Sequence, residues 1–383
     1  MRAAGLMSGT SLDGIDVAYL DIVPRGRGYA IELVRFATVP FAAELSRRLH
    51  AALPPGAPAL AEIAALDAEL GAAFGTALQT VVRDDALDFA GSHGLTLFHD
   101  GARRRSWQIG DAFALRERAG VTVAFDFRRA DCAAGGHGAP LVPYVDALLF
   151  GDGAETTVAL NLGGIANVTL LPPGAAAADV RGWDTGPANV LLDAFVRARS
   201  AGAAQFDADG RLALRGSVAP DVLDAMLADP YFVQAPPKST GRERFGVTFL
   251  QAHRRLESLS LEDGCATLVA LAAESVARDL RAALPGGARV IVSGGGARNP
   301  ALLGALRARL GSAFAVDVSD TRGIDPDAKE AVAFALLGYE LLRGRAAGLP
   351  GVTGARHAAL LGALAPQGLA ELLARVGVEC AQA

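Results

Sequence analysis

Asn161-Leu162-Gly163-Gly164-Ile165-Ala166-Asn167-Val168 decides how this chain reads, together with Trp183-Asp184-Thr185-Gly186-Pro187 downstream. Residues 156–160 form an apolar run with β-branched members, which predicts a buried strand. The Gly163-Gly164 pair forces a tight turn, and residues 165–171 read as the return strand. Glycine amides at such a turn can approach an anion closely, since no side chain intervenes. A phosphate cradle near the carboxylate of Asp184 points to phosphoryl transfer with acid/base help. The same residues also read as a hairpin followed by a helix cap, with Pro187 opening a helix that runs to about residue 200.

Working outward, a second turn of this kind lies near the start of the chain. An apolar stretch at residues 3–8 leads into Gly9-Thr10-Ser11-Leu12-Asp13-Gly14-Ile15-Asp16. Asp13-Gly14 predicts a hairpin turn into a strand over 17–23, and a third strand covers 29–39 after Gly26-Arg27-Gly28. Hydroxyls and carboxylates at the first turn suit a phosphate and a metal, because magnesium prefers oxygen ligands. They equally suit ordinary turn hydrogen bonds. Farther on, a strand over 289–293 runs into Gly294-Gly295-Gly296-Ala297-Arg298 and a helix over 300–311, an order that lets a nucleotide approach the backbone. Helices are predicted over 41–52, 58–84 and 261–284 from apolar residues at three-to-four spacing, as in Leu66, Leu70, Phe74 and Leu78. Asp126-Phe127-Arg128-Arg129 ends a strand over 121–125, where open α/β sheets hold ligands. His93, before Gly94, reads as a site residue or a structural histidine.

Composition bounds the function class. A chain of 383 residues is long for one core and suggests two domains. With 51% hydrophobic and 20% charged residues it fits a globular enzyme, and a net charge of −5 argues against a nucleic-acid surface. No apolar run reaches the ~20 residues of a membrane span, and polar residues interrupt any signal-peptide core. Cys132, Cys265 and Cys380 are too dispersed for a zinc site or disulfide framework, which points to the reducing cytoplasm. Of 36 basic residues only Lys238 and Lys329 are lysine, which reads as two places for a compact ammonium rather than a planar fork, or as chance survival. Lys238 lies in Pro236-Pro237-Lys238-Ser239-Thr240-Gly241-Arg242, a stiff turn whose two cations and two hydroxyls suit an anion or a polar lid, or else a plain connector.

The motifs GLMSGTSLDGIDVA (5–18), SHGLTLFH (92–99), QIGD (108–111), DFRRAD (126–131), GGHGAPLVP (135–143), NLGGIANVT (161–169), DTGPAN (184–189), PPKSTGR (236–242), SGGGARNP (293–300) and DAKEAVAF (327–334) run in order along nearly the whole chain. Together they resemble the anhydro-N-acetylmuramic acid kinases. The resemblance implies an α/β fold, the two-domain sugar kinase/actin-like ATPase (ribonuclease H-like) fold with ATP in the interdomain cleft. It implies a first lobe over 1–130, completed by a C-terminal helix at about 355–383, and a second lobe over 131–354. The implied reaction is ATP-dependent hydrolytic opening of the 1,6-anhydro ring of anhydro-N-acetylmuramic acid with phosphorylation of O6. The products are N-acetylmuramic acid 6-phosphate and ADP, in peptidoglycan recycling in the cytoplasm.

By the same resemblance, Asp184 is the base that activates water. Gly9, Thr10, Ser11, Leu12, Asp13, Gly14, Ile15 and Asp16 form the first phosphate turn, and Asn161, Gly163 and Gly164 belong to the second. Gly294, Gly295, Gly296 and Arg298 approach the adenosine. His93, Arg129 and Glu330 face the sugar, and Asp13 faces Mg²⁺, directly or through water. Partners are the anhydro-sugar and ATP, with a homodimer as the assembly and neither nucleic acid nor membrane. The chain departs from the family pattern at Leu95 and His137, where glutamines are usual, at Ala188 in place of glycine, and at Ala112-Phe113 in place of Pro-Asn. These departures keep the same ring opening on a different anhydro-sugar, such as levoglucosan, as the alternative. A non-catalytic sugar or nucleotide sensor is a more distant one.

Overall fold

The computed structural model describes every residue except Gly26, Arg27, Pro55, Asp152, Ala175, Ala176 and Ala383, so the turn expected at Gly26-Arg27 lies outside the described residues. Its strands are β1 (Arg2–Ser8), β2 (Ile15–Arg25), β3 (Gly28–Val39), β4 (Phe89–Asp100), β5 (Arg105–Ile109), β6 (Thr122–Phe125), β7 (Thr157–Leu162), β8 (Ile165–Leu171), β9 (Arg181–Pro187), β10 (Ala288–Ser293), β11 (Phe314–Val318) and β12 (Ala363–Ala365). They build a seven-stranded sheet of order β12-β6-β4-β1-β2-β3, with β5 on β4, and a five-stranded sheet of order β11-β10-β7-β8-β9.

The two sheets share one pattern. β1, β2 and β3 form an antiparallel meander, and β4 and β6 add in parallel on the other side of β1. In the same way β7, β8 and β9 are antiparallel, and β10 and β11 add in parallel beside β7. Each is therefore a mixed sheet, as the resemblance implies for each domain.

The chain divides into two compact units, Met1–Asp152 with Ala175–Val180 and Gly323–Ala383, and Gly153–Gly174 with Arg181–Arg322. The first unit thus takes in residues 131–152 and 323–354, beyond the boundaries at 130 and 354 implied by resemblance. The cause is local packing. Alternation along β1 sends Ala3 and Met7 into one apolar cluster and Ala4 and Leu6 into another. The helix Leu60–Val82 covers the second cluster and the helix Lys329–Leu342 the first.

The latter helix lies directly on the sheet because Gly5 and Gly91 are side by side in β1 and β4. A Cβ on Gly5 would fall 1.7 Å from the Ala331 carbonyl oxygen, and one on Gly91 would fall 2.1 Å from that of Phe334. The helix is also tied by Lys329, whose Nζ donates to Asp146 Oδ1 at 3.0 Å with both side chains buried. In the second unit one cluster joins β7, β8 and β10 to the helices Asn189–Arg199, Leu261–Ala283 and Pro300–Leu310. Among the described residues no helix is long and apolar enough to cross a membrane.

Candidate active site

Asp184 lies on β9, the edge strand of the second sheet, opposite Asn167. The sequence reading of a cap, with Pro187 opening a helix, is corrected here: Arg181–Pro187 is strand throughout, and the helix starts at Asn189. An edge strand tolerates glycine and proline, because one side needs no ladder partner.

The segment after Pro236 secures this edge. Asp184 N–H donates to the Lys238 carbonyl at 3.1 Å, and Tyr231 Oη donates to the Asp184 carbonyl at 2.7 Å. Ser239 Oγ and Thr240 N–H both donate to Asp184 Oδ2 at 2.9 Å. Both bonds fall on one oxygen, so Oδ1 is the one left to take a proton. Burial raises the carboxyl above the usual range, Thr240 and Ser239 oppose that rise, and Glu243 adds to it.

Lys238 anchors this segment. It is 8% exposed, its Nζ meets Asp279 at 3.0 Å, and Trp183 Nε1 donates to the same carboxylate at 3.0 Å. That Ser239 and Thr240 reach Asp184 is not predicted by the sequence. The available signal was a pair of hydroxyl residues in an otherwise stiff segment.

The turn between β7 and β8 is oriented by the helix that follows. Asn189 N–H donates to the Gly163 carbonyl at 3.0 Å, and the amides of Ala188 and Val190 donate to the Gly164 carbonyl at 2.9 and 3.1 Å. Trans peptide planarity then turns the amides of Gly164 and Ile165 away from that helix. The β10 turn comes against this one: a Cβ on Gly294, at φ +80°, would fall 2.5 Å from Asn161 Oδ1, and one on Gly296 would fall 2.6 Å from Leu162 Cβ. A Cβ on Gly295 would meet nothing within 4 Å. Gly295 and Arg298 line a cavity of about 480 Å³ with Asn189, Phe206 and Asp209. The structure therefore joins Asn161, Gly163 and Gly164 to Gly294–Arg298. Bare backbone beside a cavity of this size fits a nucleotide.

The turn after β1 differs from its sequence reading. Gly14 is not its left-handed residue; Leu12 is, at φ +58°. Gly14 is needed for close approach, since a Cβ there would lie 2.7 Å from the Val39 carbonyl oxygen. A buried leucine with positive φ is strained by about 1–3 kcal/mol, and its side chain, 4% exposed in the core, helps hold it there. Ser8 Oγ donates to the Gly14 carbonyl at 2.8 Å and closes the loop.

Asp16 follows on β2. Burial pushes its carboxyl up to about 6, a 2.6 Å hydrogen bond from Thr38 Oγ1 opposes this, and the charges of Glu330, Asp327 and Asp13 raise it further. Glu330 is also raised by burial, against Lys329 and Arg128. Among the described residues no three such groups converge to hold a metal alone. Mg²⁺ commonly takes only one or two carboxylates plus substrate phosphates, so this acidic field fits it.

His93 and Arg129 come together as read. Both line a cavity of about 90 Å³ with Trp107, Gln108, Ile109 and Asp126. His93 is 4% exposed and stacks on Phe334 with ring centroids 4.2 Å apart. Burial, then the charge of Arg128, hold its pKa well below the usual histidine value, so the ring is neutral. Arg128, in the charged stretch read at the end of β6, donates to His93 Nε2 and to the Gly138 carbonyl. Arg129 is exposed and pairs with Asp126, whose φ is +57°. Glu330 does not line this cavity, and its charge also acts on Asp16. Leu95 is wholly buried in the core, so its departure from the family pattern falls on packing.

The family model for anhydro-N-acetylmuramic acid kinase matches residues 1–367. An anhydro-N-acetylmuramic acid kinase of Xanthomonas axonopodis pv. citri is 45% identical over 371 residues, covering 94% of this chain and 97% of that protein. Those of Streptomyces coelicolor and a Picosynechococcus species are 43% and 42% identical, covering 96% and 94% of this chain and 94% and 98% of their own lengths. The chain belongs to the anhydro-N-acetylmuramic acid kinase family.

Proposed function

We propose that this kinase opens the 1,6-anhydro ring of anhydro-N-acetylmuramic acid with water activated by Asp184, while O6 takes the γ-phosphoryl group of ATP. The observation that carries the role of Asp184 is the pair of donors on Oδ2, which fixes the carboxylate and leaves Oδ1 for the proton. An inverting glycosidase needs a second carboxyl group to protonate the leaving oxygen. Here the phosphoryl group takes that oxygen, so one carboxylate suffices. Proton acceptance of this kind contributes about 10²–10⁴-fold. MgATP supplies the phosphoryl group and neutralises its charge.

In this reading the turn from Gly9 to Asp16 and the turn with Asn161, Gly163 and Gly164 bind phosphates. Gly294, Gly295, Gly296 and Arg298 meet the adenosine, Asp13 faces Mg²⁺, and His93, Arg129 and Glu330 serve the sugar. Buried free Cys132 and Cys265 support a reducing cytoplasmic setting. The test is turnover in oxygen-18 water. ADP release should require both anhydro-sugar and Mg²⁺, with the label at C1 of the product. Label in the phosphate, or no turnover, overturns the reading.

A further inference from the structure

Asp184 is held through its chain neighbours as well as through its own atoms, and both neighbouring segments end on one buried carboxylate, Asp279. Trp183 Nε1 donates to Asp279 Oδ2 at 3.0 Å, and Lys238 Nζ lies 3.0 Å from each Asp279 oxygen. Trp183 directly precedes Asp184 on β9. Lys238 directly precedes Ser239 and Thr240, the two donors to Asp184 Oδ2. One side chain thus meets both stretches that set the direction of the Asp184 carboxylate. Asp279 belongs to the helix Leu261–Ala283, in which Val276, Ala277 and Leu280 are wholly buried. The helix lies close against β9: a Cβ on Gly186 would fall 3.1 Å from Ser275 Oγ, one turn before Asp279. Tyr231 closes the ring, with Lys238 Nζ 4.8 Å from its ring centre and its own Oη donating to the Asp184 carbonyl at 2.7 Å.

Stability alone does not call for charge at this place. Apolar side chains of similar size often replace a buried ion pair with no loss of stability. Apolar contact has no preferred direction, however, whereas hydrogen bonds between fixed atoms do. We propose that Asp279 is a positioning residue for the reaction: through Trp183 and Lys238 it carries the placement of its helix to the two segments that aim Asp184 at water. The strand side fixes the backbone of Asp184, and the Lys238 side fixes the donors on its carboxylate. The proposal rests on the base role of Asp184 given above and extends it to a carboxylate that acts only through other residues.

The experiment uses the full chain carrying Trp183→Phe, Lys238→Met and Asp279→Leu together, which removes the cation, the anion and the indole donor at once. Its Tm should stay near that of wild type. Its kcat should fall about 10²-fold, as for a displacement of about 1 Å at a reacting group, while KM for the anhydro-sugar and for ATP stays near wild type. The acid limb of kcat should also move to higher pH. Ser239 and Thr240 hold the Asp184 carboxyl down and lose their support, whereas Glu243 and Tyr231, the other titratable groups that act on it or feel its charge, are unchanged. Wild-type kcat at wild-type Tm overturns the proposal and leaves the pair to stability. An unshifted acid limb overturns the route through Ser239 and Thr240. Should the triple variant fail to fold, Trp183→Phe decides: the ion pair stays, the strand loses its tie, and kcat should fall about tenfold at unchanged KM. An unchanged kcat there overturns the proposal. Normal turnover by Asp184→Asn overturns the base assignment itself, a result distinct from all of these.

Discussion

In the first sheet the acid beside the turn, Asp16, stands on the second strand and accepts a bond from Thr38 across the ladder. In the second sheet Asp184 stands on the third strand, and its donors Ser239 and Thr240 come from a segment outside the sheet. Five strands follow the same order in both, and burial raises both carboxyl groups. Their surroundings separate them. Asp16 shares its field with Glu330, Asp327 and Asp13, so a cation is what it lacks. Asp184 feels one nearby acid, Glu243, and is held by two donors, which suits it to take a proton. On the proposed reading a duplicated topology carries two chemistries, set by what each fold brings up to the strand from elsewhere.

The comparison breaks most readily at the acids. Asp184→Asn should lower kcat about 10³-fold while leaving nucleotide affinity within a few-fold of wild type. Asp16→Asn should act chiefly on the Mg²⁺ and ATP dependence. Steady-state kinetics with nucleotide titrations check both, and similar losses of kcat at fixed nucleotide affinity would erase the distinction.

Next in size is the anchor of the second unit. Lys238→Met leaves Asp279 buried without its cation, which is destabilising by about 3–5 kcal/mol. It also frees Ser239 and Thr240, so kcat should fall more than sugar KM rises. Denaturant unfolding read beside kinetics tests this, and unchanged stability would show that the pair does not hold the segment. The first unit has a buried pair of its own, Lys329 with Asp146, and beside it a close packing contact. Gly91→Ala drives a Cβ into the Phe334 carbonyl oxygen and should destabilise by about 2–3 kcal/mol. Gly295→Ala, where a Cβ meets nothing within 4 Å, should leave stability near wild type and so serves as its control.

What the sequence disclosed follows the reach of its signals. β8 is read at its observed limits and the helix Leu261–Ala283 within one residue, because apolar periodicity and turn glycines are local. β9 was lost because Arg-Gly-Trp-Asp-Thr-Gly-Pro has neither alternation nor an apolar run, and only an edge position explains its strand geometry. The first unit's larger extent depends on Gly5 meeting Ala331, a contact between distant parts of the chain. Ser239 reaches Asp184 across 55 residues, and neither motif alone predicts the other. Lys238 and Lys329 stand out in the sequence as the two lysines, yet the buried carboxylates they pair with, Asp279 and Asp146, carry no sequence signature.

The smallest expected effect is a pH dependence at Asp16. The Asp16 carboxyl is raised from 3.8 to about 6 in the fold, so the folded chain binds this proton more tightly than the unfolded chain. As pH rises from about 4 to about 6, the unfolded state loses the proton first and the fold loses stability; above that window the deficit is constant. Asp16→Asn removes the deficit. Asp16 is only half-buried and its charge is partly screened, so the gain is about 1 kcal/mol rather than the full linkage value. That corresponds to a rise in Tm of about 2–4 °C near pH 8, fading to nothing near pH 4. Thermal unfolding of wild type and variant at the two pH values checks it, and a gain of equal size at both would trace to something other than this carboxylate. Added Mg²⁺ and ATP should reverse the order, because only the wild type keeps the charge that the cation offsets.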